Sequence, residues 1–430
     1  MTINKYQKQI TILGLFIFFL STLFYCYEFF IQVSPGVMTN VLMRDLSANA
    51  TSIGIISGCF YYSYTAMQIP VGLLLDRYGI RIVLTTAILI CAIGTLLFGL
   101  APDIFAAAVA RFLMGAGSAF AFISVLYITI RWLPACYFAL FAGLTQMMSS
   151  FGALGGEAPL ASMIQHTGWR YTMFIFSLIA VILAILVWLI IRDNPPGNAK
   201  QQHKKPKIIK SLKTIFSNNQ TWFIGIYSFA IWAPIVAFSA LWGVPFIKTS
   251  CHLSNIAAAE VVSFSWIGIA IGSPVVGWIS DKIQKRCLPL TLVALLGLIS
   301  ILCVLFIPNM PTLVLYILLF LVGFSASGQT LIFAVVKEVN YEKITSTANG
   351  INNMAVVLGG ALFQPLIGKF LDVNWSGLIE NGVRTYDLHA YHVAFLILPI
   401  CYLIAAIMSM FFIRETYCKS QVTNSATSDF

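Results

Sequence analysis

Long apolar runs separated by short polar segments dominate the chain. A helix needs about 20 residues to cross the hydrocarbon core of a membrane, and twelve runs approach or exceed that length. They cover residues 10–38, 50–74, 81–101, 103–130, 137–165, 169–191, 221–247, 256–280, 288–307, 311–335, 346–370 and 389–413. The first run outlasts a signal-peptide core and has no small-residue cleavage site, so we expect it in the mature protein. The pattern predicts an all-α membrane protein with twelve transmembrane helices, called spans 1 to 12 below.

A charged turn interrupts this pattern between spans 2 and 3. It carries an acid, two arginines and two glycines: Gly72, Asp76, Arg77, Gly79 and Arg81. A degraded copy follows between spans 8 and 9, with Gln284 in place of the second glycine: Gly277, Asp281, Lys282 and Arg286. Charges so close to lipid are tolerable at the membrane surface, where they find partners. The repetition indicates a molecule built in two halves.

Further matches at a similar offset support an internal repeat. The segment from Gly143 to Met147 resembles the segment from Gly350 to Met354, and Pro159 falls in nearly the same register as Pro365. Internal repeats of this kind are typical of transporters, whose binding site lies between the repeats near the middle of the membrane.

The distribution of lysine and arginine predicts the orientation. With the N-terminus inside, inner segments hold about four times as many Lys and Arg residues as outer ones, as the positive-inside rule requires. Both termini and the charged turn are therefore predicted to be cytoplasmic. The domains follow: a six-helix bundle over 1–191, a basic cytoplasmic linker over 192–220, a second six-helix bundle over 221–413 and a cytoplasmic tail over 414–430.

Composition narrows the class of protein. Hydrophobic residues make up 59% of the chain and charged residues only 9%, against about 25% charged in soluble proteins. The net charge of +10 lies mainly in short inner loops, which argues against nucleic acid as a partner. The nine cysteines and five histidines form no metal-binding or disulfide spacing. No nucleotide-binding or catalytic motif is present, so we expect no enzyme, no cofactor and no metal.

Twelve spans in two halves, with the charged turn after span 2, resemble the major facilitator superfamily. The turn matches that family's pattern at Gly72, Leu74, Asp76, Arg77, Gly79 and Arg81. Span 4 matches a second motif from Arg111 to Gly117. Span 5 lacks the Gly-Pro pair of the family's antiporter motif, which disfavours drug–proton exchange. The segments 25–35 and 337–350 resemble the phagosomal nutrient transporters and the lysosomal dipeptide carriers with their bacterial relatives.

The resemblance implies a gating role for the charged turn and its copy. In the family fold, Asp76 faces the cytoplasmic start of span 11 near Thr345, and Asp281 faces span 5. An aspartate is favourable beside the unpaired N–H groups of a helix N-terminus. Such contacts would close the cytoplasmic side and break when the halves rock apart.

Three charged residues inside the spans are candidates for proton coupling: Glu28, Glu157 and Arg111. An intramembrane carboxylate is costly and is a functional candidate by default. Glu28 is expected to exchange a proton, to form a static ion pair with Arg111, or to bind a substrate amine. Glu157 is either a coupling or substrate-contact residue or a buried acid at a packed kink. Arg111 alternatively binds a substrate carboxylate through its bidentate fork.

Polar and aromatic residues within the spans are candidates for the substrate cavity. They are Tyr27, Gln32, Gln146, Tyr227, Trp232, Ser265, Trp266, Ser325, Gln329, Asn349 and Asn353. Amides in mid-membrane need partners, and Gln146 and Asn353 fall at matched repeat positions. Any single aromatic is more often a packing residue than a ligand contact. Pro234 and Pro245 are expected to kink span 7.

These features predict a secondary active transporter, a monomer in the bacterial inner membrane. Its partners are membrane lipid, a small polar organic nutrient (an amino acid, dipeptide or nucleoside) and protons, taken up by symport through alternating access. The alternatives are a facilitated uniporter, an exporter of organic anions or drugs, and a transporter-like membrane sensor.

Overall fold

The chain is almost wholly helical across the residues that its structure, a computed structural model, describes. These are residues 12–134, 138–193, 208–308, 310–341, 344–380 and 382–421. The N-terminal lysines, residues 194–207 of the basic linker, the last nine residues and the side chain of Asp76 lie outside this description.

Spans 1 to 6 form the first half. Their helices are Ile12–Val33 and Pro35–Asp45 (span 1), Ala50–Tyr78 (span 2), Ile80–Leu100 (span 3), Ile104–Ser118 and Phe120–Trp132 (span 4), Phe138–Gly155 and Ala158–Thr167 (span 5), and Trp169–Ile190 (span 6). Span 1 was predicted to end at residue 38, but it continues to Asp45. Pro35 starts this second helix at its first turn, where the missing N–H has no cost.

A short helix, Ile208–Ser217, leads into the second half. The helices there are Asn219–Pro234, the π-helical Ile235–Trp242 and Gly243–Cys251 (span 7), Asn255–Ile283 (span 8), Cys287–Phe306 (span 9), Thr312–Ser325 and Gly328–Val339 (span 10), and Thr345–Val373 (span 11). Span 12 comprises Leu388–Phe395, Ile397–Ile407 and the π-helical Met408–Phe412. Between spans 11 and 12, strands β1 (Ile379–Glu380) and β2 (Val383–Arg384) form an antiparallel hairpin.

The fold class predicted from the sequence is confirmed. Ten helical segments within the described ranges are long and apolar enough to cross a membrane, and spans 2 and 5 complete the twelve. Polar side chains start several helices where the sequence places them. Asn49, Asp103, Ser254 and Asp387 each accept a hydrogen bond from a backbone N–H in the first turn of the following helix, as good N-caps do.

The two halves meet along spans 2 and 11 and along spans 5 and 8, with span 1 also touching span 7. Successive spans run in opposite directions, so the connections between them lie alternately at the two ends of each bundle. The end that holds the charged turn and its copy, at Tyr78 and Ile283, is called the motif end. The end that holds residues 46–49 and the hairpin is called the opposite end.

Candidate transport site and gates

Spans 2 and 11 pack backbone to backbone near the opposite end. A Cβ added to Gly54 would collide with the backbone of Gln364 and Pro365, and one added to Gly368 would collide with Ala50. Only glycine permits so close an approach of two helices. The halves are therefore tightly closed at this end.

Asp372 ties the two halves together at the same end. Its Oδ2 accepts hydrogen bonds from the Thr51 N–H (2.8 Å) and the Thr51 hydroxyl (2.5 Å). Its Oδ1 accepts one from the Tyr386 hydroxyl (2.6 Å), whose oxygen accepts one from the Ala50 N–H (3.0 Å). Arg384 lies 3.5 Å from the same carboxylate. An acid from the last turn of span 11 thus caps the N-terminus of span 2, where the helix dipole favours negative charge.

The same two spans separate towards the motif end. Within the described part of the two spans, the polar contact nearest the motif end is the hydrogen bond from Asn353 Nδ2 to Gln68 Oε1 (3.0 Å). One turn further towards the motif end, on the same helix faces, lie glycines that face open space. A Cβ added to one of them would find no atom within 4 Å. The glycines near the motif end that share this property are Gly72, Gly143, Gly277 and Gly350. Among the residues that the structure describes, the halves are separated at the motif end and closed at the opposite end.

The first copy of the charged turn is anchored within its own half. Gly79 has φ +82° and ψ 164°, a conformation essentially restricted to glycine. The Asp193 carboxylate accepts a hydrogen bond from the Arg81 N–H (3.1 Å). The Arg81 side chain donates to the Trp188 carbonyl (2.8 Å) and lies over the Trp188 ring. Asp193 therefore caps the start of span 3.

The second copy has a parallel arrangement that includes two ion pairs. Arg286 is buried and bonds to Asp281 (2.7 Å) and Glu338 (2.7 Å). The Glu415 carboxylate accepts hydrogen bonds from the Arg286 N–H (2.7 Å) and the Cys287 N–H (2.9 Å), and so caps the start of span 9. Burial raises the pKa of Glu415, but the four backbone N–H groups it binds outweigh this effect and hold that pKa below its usual value.

Sequence reasoning missed the two capping acids, although a signal was present. Ile191-Arg192-Asp193 follows span 6 and Ile413-Arg414-Glu415 follows span 12. Each acid lies three residues beyond the last helical residue, Ile190 or Phe412. This repeated tripeptide marks the position from which each half caps its third helix.

Arg111 is fully buried in the middle of span 4. Its Nη1 donates to the Ile31 carbonyl (2.6 Å) and its Nη2 to the Gln32 carbonyl (3.3 Å), while the guanidinium lies 4.7 Å from the centre of the Phe60 ring. Pro35 has no N–H to bind the carbonyl four residues before it, and the Ile31 carbonyl accepts hydrogen bonds from the Ser34 hydroxyl (3.0 Å) and Arg111 instead. Arg111 thereby places its charge at a helix C-terminus, where a cation is favourable.

Glu28 lies on span 1 close to Arg111 but forms no salt bridge with it. The carboxyl group is 1% exposed and its Oε2 has no hydrogen-bond partner. The two groups still interact electrostatically. In this conformation the arginine is committed to backbone carbonyls, so the static ion pair expected as one alternative is not formed.

Glu157 occupies the break between the two helices of span 5. It is completely buried, and its Oε1 accepts a single long hydrogen bond (3.4 Å) from the indole N–H of Trp266, on span 8 of the other half. Its Oε2 has no partner. The Trp266 ring also meets Phe29 of span 1 edge to face. Glu157 of the first half is thus buried in contact with Trp266 of the second half.

Two cavity candidates lie away from the interface. The Tyr27 hydroxyl pairs with Thr95 (2.9 Å) inside the first half, and the Tyr227 hydroxyl donates to the Leu290 carbonyl (3.0 Å) inside the second. Both therefore stabilise their own bundle. Ser265 and Ser325 likewise bond within the second half.

The remaining candidates vary in burial. Gln32, Trp232 and Gln329 are buried. Gln146 is half-buried and donates to Ser149 on its own helix (3.2 Å). Asn353 bridges to Gln68, and the buried Oδ1 of Asn349 has no partner.

The model of the Major Facilitator Superfamily matches residues 11–364 and 243–428 of the chain. This chain belongs to the major facilitator superfamily. Relatives and a solved structure of the superfamily resemble it over most of its length. A probable hexose phosphate transport protein of Chlamydia pneumoniae is 23% identical over 394 residues, which cover 84% of this chain and 86% of that protein.

Two further comparisons widen the picture. The membrane sensor protein UhpC of Escherichia coli (strain K12) is 24% identical over 371 residues, 79% of this chain and 82% of that protein. The crystal structure of a bacterial homologue of the human lysosomal transporter Spinster, in an inward-facing and unoccupied conformation, has a TM-score of 0.75 at 15% identity and covers 93% of this chain and 97% of that chain. The chain is an integral membrane transporter of the superfamily and not an enzyme.

Proposed function

We propose that this major facilitator transporter takes up a small polar organic solute together with protons across a bacterial cytoplasmic membrane. The motif end faces the cytoplasm in this proposal, because the basic residues concentrate on that side. The conformation described above is then the inward-facing state of an alternating-access cycle. Asp76 is expected to cap span 11 when the motif end closes.

The observation that carries the proposal is the burial of Glu157 between the halves. Its carboxyl has one long hydrogen bond to Trp266 and one oxygen without a partner. Burying an ionised carboxylate without a compensating partner costs several kcal/mol. The interface at the opposite end is therefore most stable when Glu157 is protonated.

This cost couples proton binding to the conformational change. When the opposite end opens, spans 5 and 8 separate and Glu157 meets outside water, where it exchanges protons. Protonation then favours reclosure and formation of the inward-facing state. To complete the cycle, the proton must leave to the cytoplasm through the motif end before the opposite end opens again. Glu28, a second buried carboxyl with an unpaired oxygen, is the other group proposed to carry a proton.

Uptake into proteoliposomes tests this function. The solute is chosen from a thermal-shift screen, since a ligand that binds the folded state stabilises it. With an acidic exterior we expect internal solute to exceed the external concentration, and without a pH difference only equilibration. Equal uptake under both conditions would instead indicate a uniporter.

A membrane sensor is the second candidate, because a relative of similar length carries that name. A sensor would bind solute and shift its melting temperature without accumulating the solute in vesicles. The same pair of measurements therefore separates the two functions.

A further inference from the structure

Several amide side chains with an atom that lacks a hydrogen-bond partner lie where spans 2, 7 and 11 meet. Gln68 and Asn352 are each 4% exposed, and the Nε2 of Gln68 and the Nδ2 of Asn352 have no hydrogen-bond partner. The Oδ1 of Asn349 is also buried and unpaired. Buried polar atoms in native proteins are normally paired, so three such atoms in one region require an explanation.

The contacts of these residues hold them in one cluster. Asn353 Nδ2 donates to Gln68 Oε1 (3.0 Å), joining spans 11 and 2. Asn352 Oδ1 accepts a hydrogen bond from the Ser228 hydroxyl (2.6 Å), joining spans 11 and 7. Asn349 lies one turn before both asparagines on the same face of span 11. Gln68, Asn349, Asn352 and Asn353 are called the amide cluster.

The cluster borders the opening at the motif end. Gly72 lies one turn beyond Gln68 on span 2, Gly350 lies among the asparagines of span 11, and neither has an atom near its Cβ position. Asn349 and Asn353 are only half-buried. The amide cluster therefore lies beside the opening at the motif end. Its unpaired atoms are covered in this conformation, so the amides must rotate towards a solute that enters there.

The charges available in the membrane interior limit what this site can bind. Arg111 is the one basic residue in the middle of a described span, and it is fully buried with both terminal nitrogens on backbone carbonyls. Its Nε has no partner but is also buried. Arg286, at the motif end, is committed to Asp281 and Glu338. The other interior charges are the acids Glu28 and Glu157. A phosphate or carboxylate normally needs an arginine or lysine that is free to bind it.

We infer that the amide cluster is a solute-binding subsite for a small polar molecule without net charge, one that offers both hydrogen-bond acceptors and donors. Its acceptors pair with Gln68 Nε2 and Asn352 Nδ2, and a donor pairs with Asn349 Oδ1. Organophosphates and dicarboxylates are excluded. This inference rests on the proposed transport function and specifies the solute class of the same pathway.

Uptake by wild-type proteoliposomes is measured for uridine, L-glutamine, glucose 6-phosphate and malate, each with and without an acidic exterior. We expect accumulation of a neutral or zwitterionic solute and none of the two anions. Accumulation of glucose 6-phosphate or malate would overturn the inference. Failure to accumulate either uridine or L-glutamine, the two probes without net charge, would also contradict the inference. If a solute is taken up equally with and without the pH difference, proton coupling is contradicted instead. Failure of the solute class and failure of the proposed function therefore give different results.

A variant locates the subsite. Gln68→Leu should raise the KM of the transported solute about 3- to 10-fold, the value of one neutral hydrogen bond, with little change in kcat. The matched control is Asn374→Leu, an amide at the opposite end of span 11 that bonds to the Phe370 carbonyl of its own helix. An unchanged KM in Gln68→Leu would contradict the placement. If this variant does not fold, Gln68→Glu replaces it, because it also removes the Nε2 donor and should raise the KM in the same way. The wild-type uptake comparison decides the solute class independently of either variant.

Discussion

Gly79 and Gln284 occupy equivalent positions in the two copies of the charged turn, yet their backbones differ. Gly79 has φ +82° and ψ 164°, whereas Gln284 has φ +53° and ψ 39°. The second conformation is the left-handed helical one, which a non-glycine residue reaches at a cost of about 1–2 kcal/mol. The sequence showed that the glycine was lost in the second copy but could not show that the turn had changed with it.

These conformations predict opposite effects of substitution. Gly79→Ala should lower the melting temperature in detergent, because its φ and ψ suit only glycine and its new Cβ would lie 2.5 Å from the Asp193 carboxylate. Gln284→Gly should raise stability by less than about 1 kcal/mol, since it removes the left-handed strain but also the hydrogen bond from Gln284 Nε2 to the Asp281 carbonyl (2.6 Å). Thermal unfolding of purified protein measures both. An unchanged melting temperature in Gly79→Ala would contradict the account of this turn.

Arg111 shows why a residue's role is hard to predict from its chemistry alone. An arginine beside an intramembrane acid suggested a counter-ion for Glu28. The structure instead uses it to satisfy the Ile31 and Gln32 carbonyls. The signal was Pro35, which removes the N–H that Ile31 would bind. That two distant spans meet at this point depends on tertiary packing, which the local sequence does not encode.

Spans 2 and 11 form the element pair that holds the opposite end closed. Asp372, at the end of span 11, accepts the Thr51 N–H at the start of span 2. The resemblance predicts the reciprocal contact at the motif end, from Asp76 at the end of span 2 to the start of span 11. One pair of helices then carries a capping acid at each end, and rocking would exchange one contact for the other.

Replacing Asp372 tests this contact at the opposite end. Asp372→Ala leaves the Thr51 N–H without its acceptor, so deuterium uptake in a peptide covering residues 46–56 should increase. The matched control is Asp387→Ala, which removes a cap from the Ala390 N–H within the second half and should leave that peptide unchanged. Equal uptake in Asp372→Ala and the wild type would show that the contact does not hold the halves together.

The cap at the start of span 9 should depend on pH. The pKa of Glu415 is lower in the folded state than its ordinary value, so its stabilisation is complete above that ordinary value, about 4.3, and is lost as the pH falls through the folded-state pKa. Glu415→Gln should lower stability by about 1 kcal/mol at pH 7, and the difference from wild type should shrink below about pH 4. Melting temperatures measure it, with the exposed Glu380→Gln as control. A difference independent of pH would argue against an ionised cap.

At the scale of the whole molecule, the fold was predictable and the conformation was not. Apolar run lengths, the charged turn and its copy were sufficient for twelve helices in two halves. The closed end was not foreseeable, because the sequence contains the contact residues of both ends and does not show which set is engaged. The sequence did not single out Gln68 and Asn352. Whether a polar residue within a span is buried or lines a cavity depends on its neighbours in the fold, which the sequence does not show.

Proton coupling through Glu157 is the central claim, and the Glu157→Gln variant tests it most directly. Glutamine has nearly the shape of protonated glutamate but cannot release a proton. In proteoliposomes with an acidic exterior, the variant should retain exchange of labelled for unlabelled solute and lose accumulation above equilibrium. The control is Glu260→Gln, which removes an exposed acid of span 8 and should accumulate solute like the wild type. Wild-type accumulation by Glu157→Gln would contradict the mechanism.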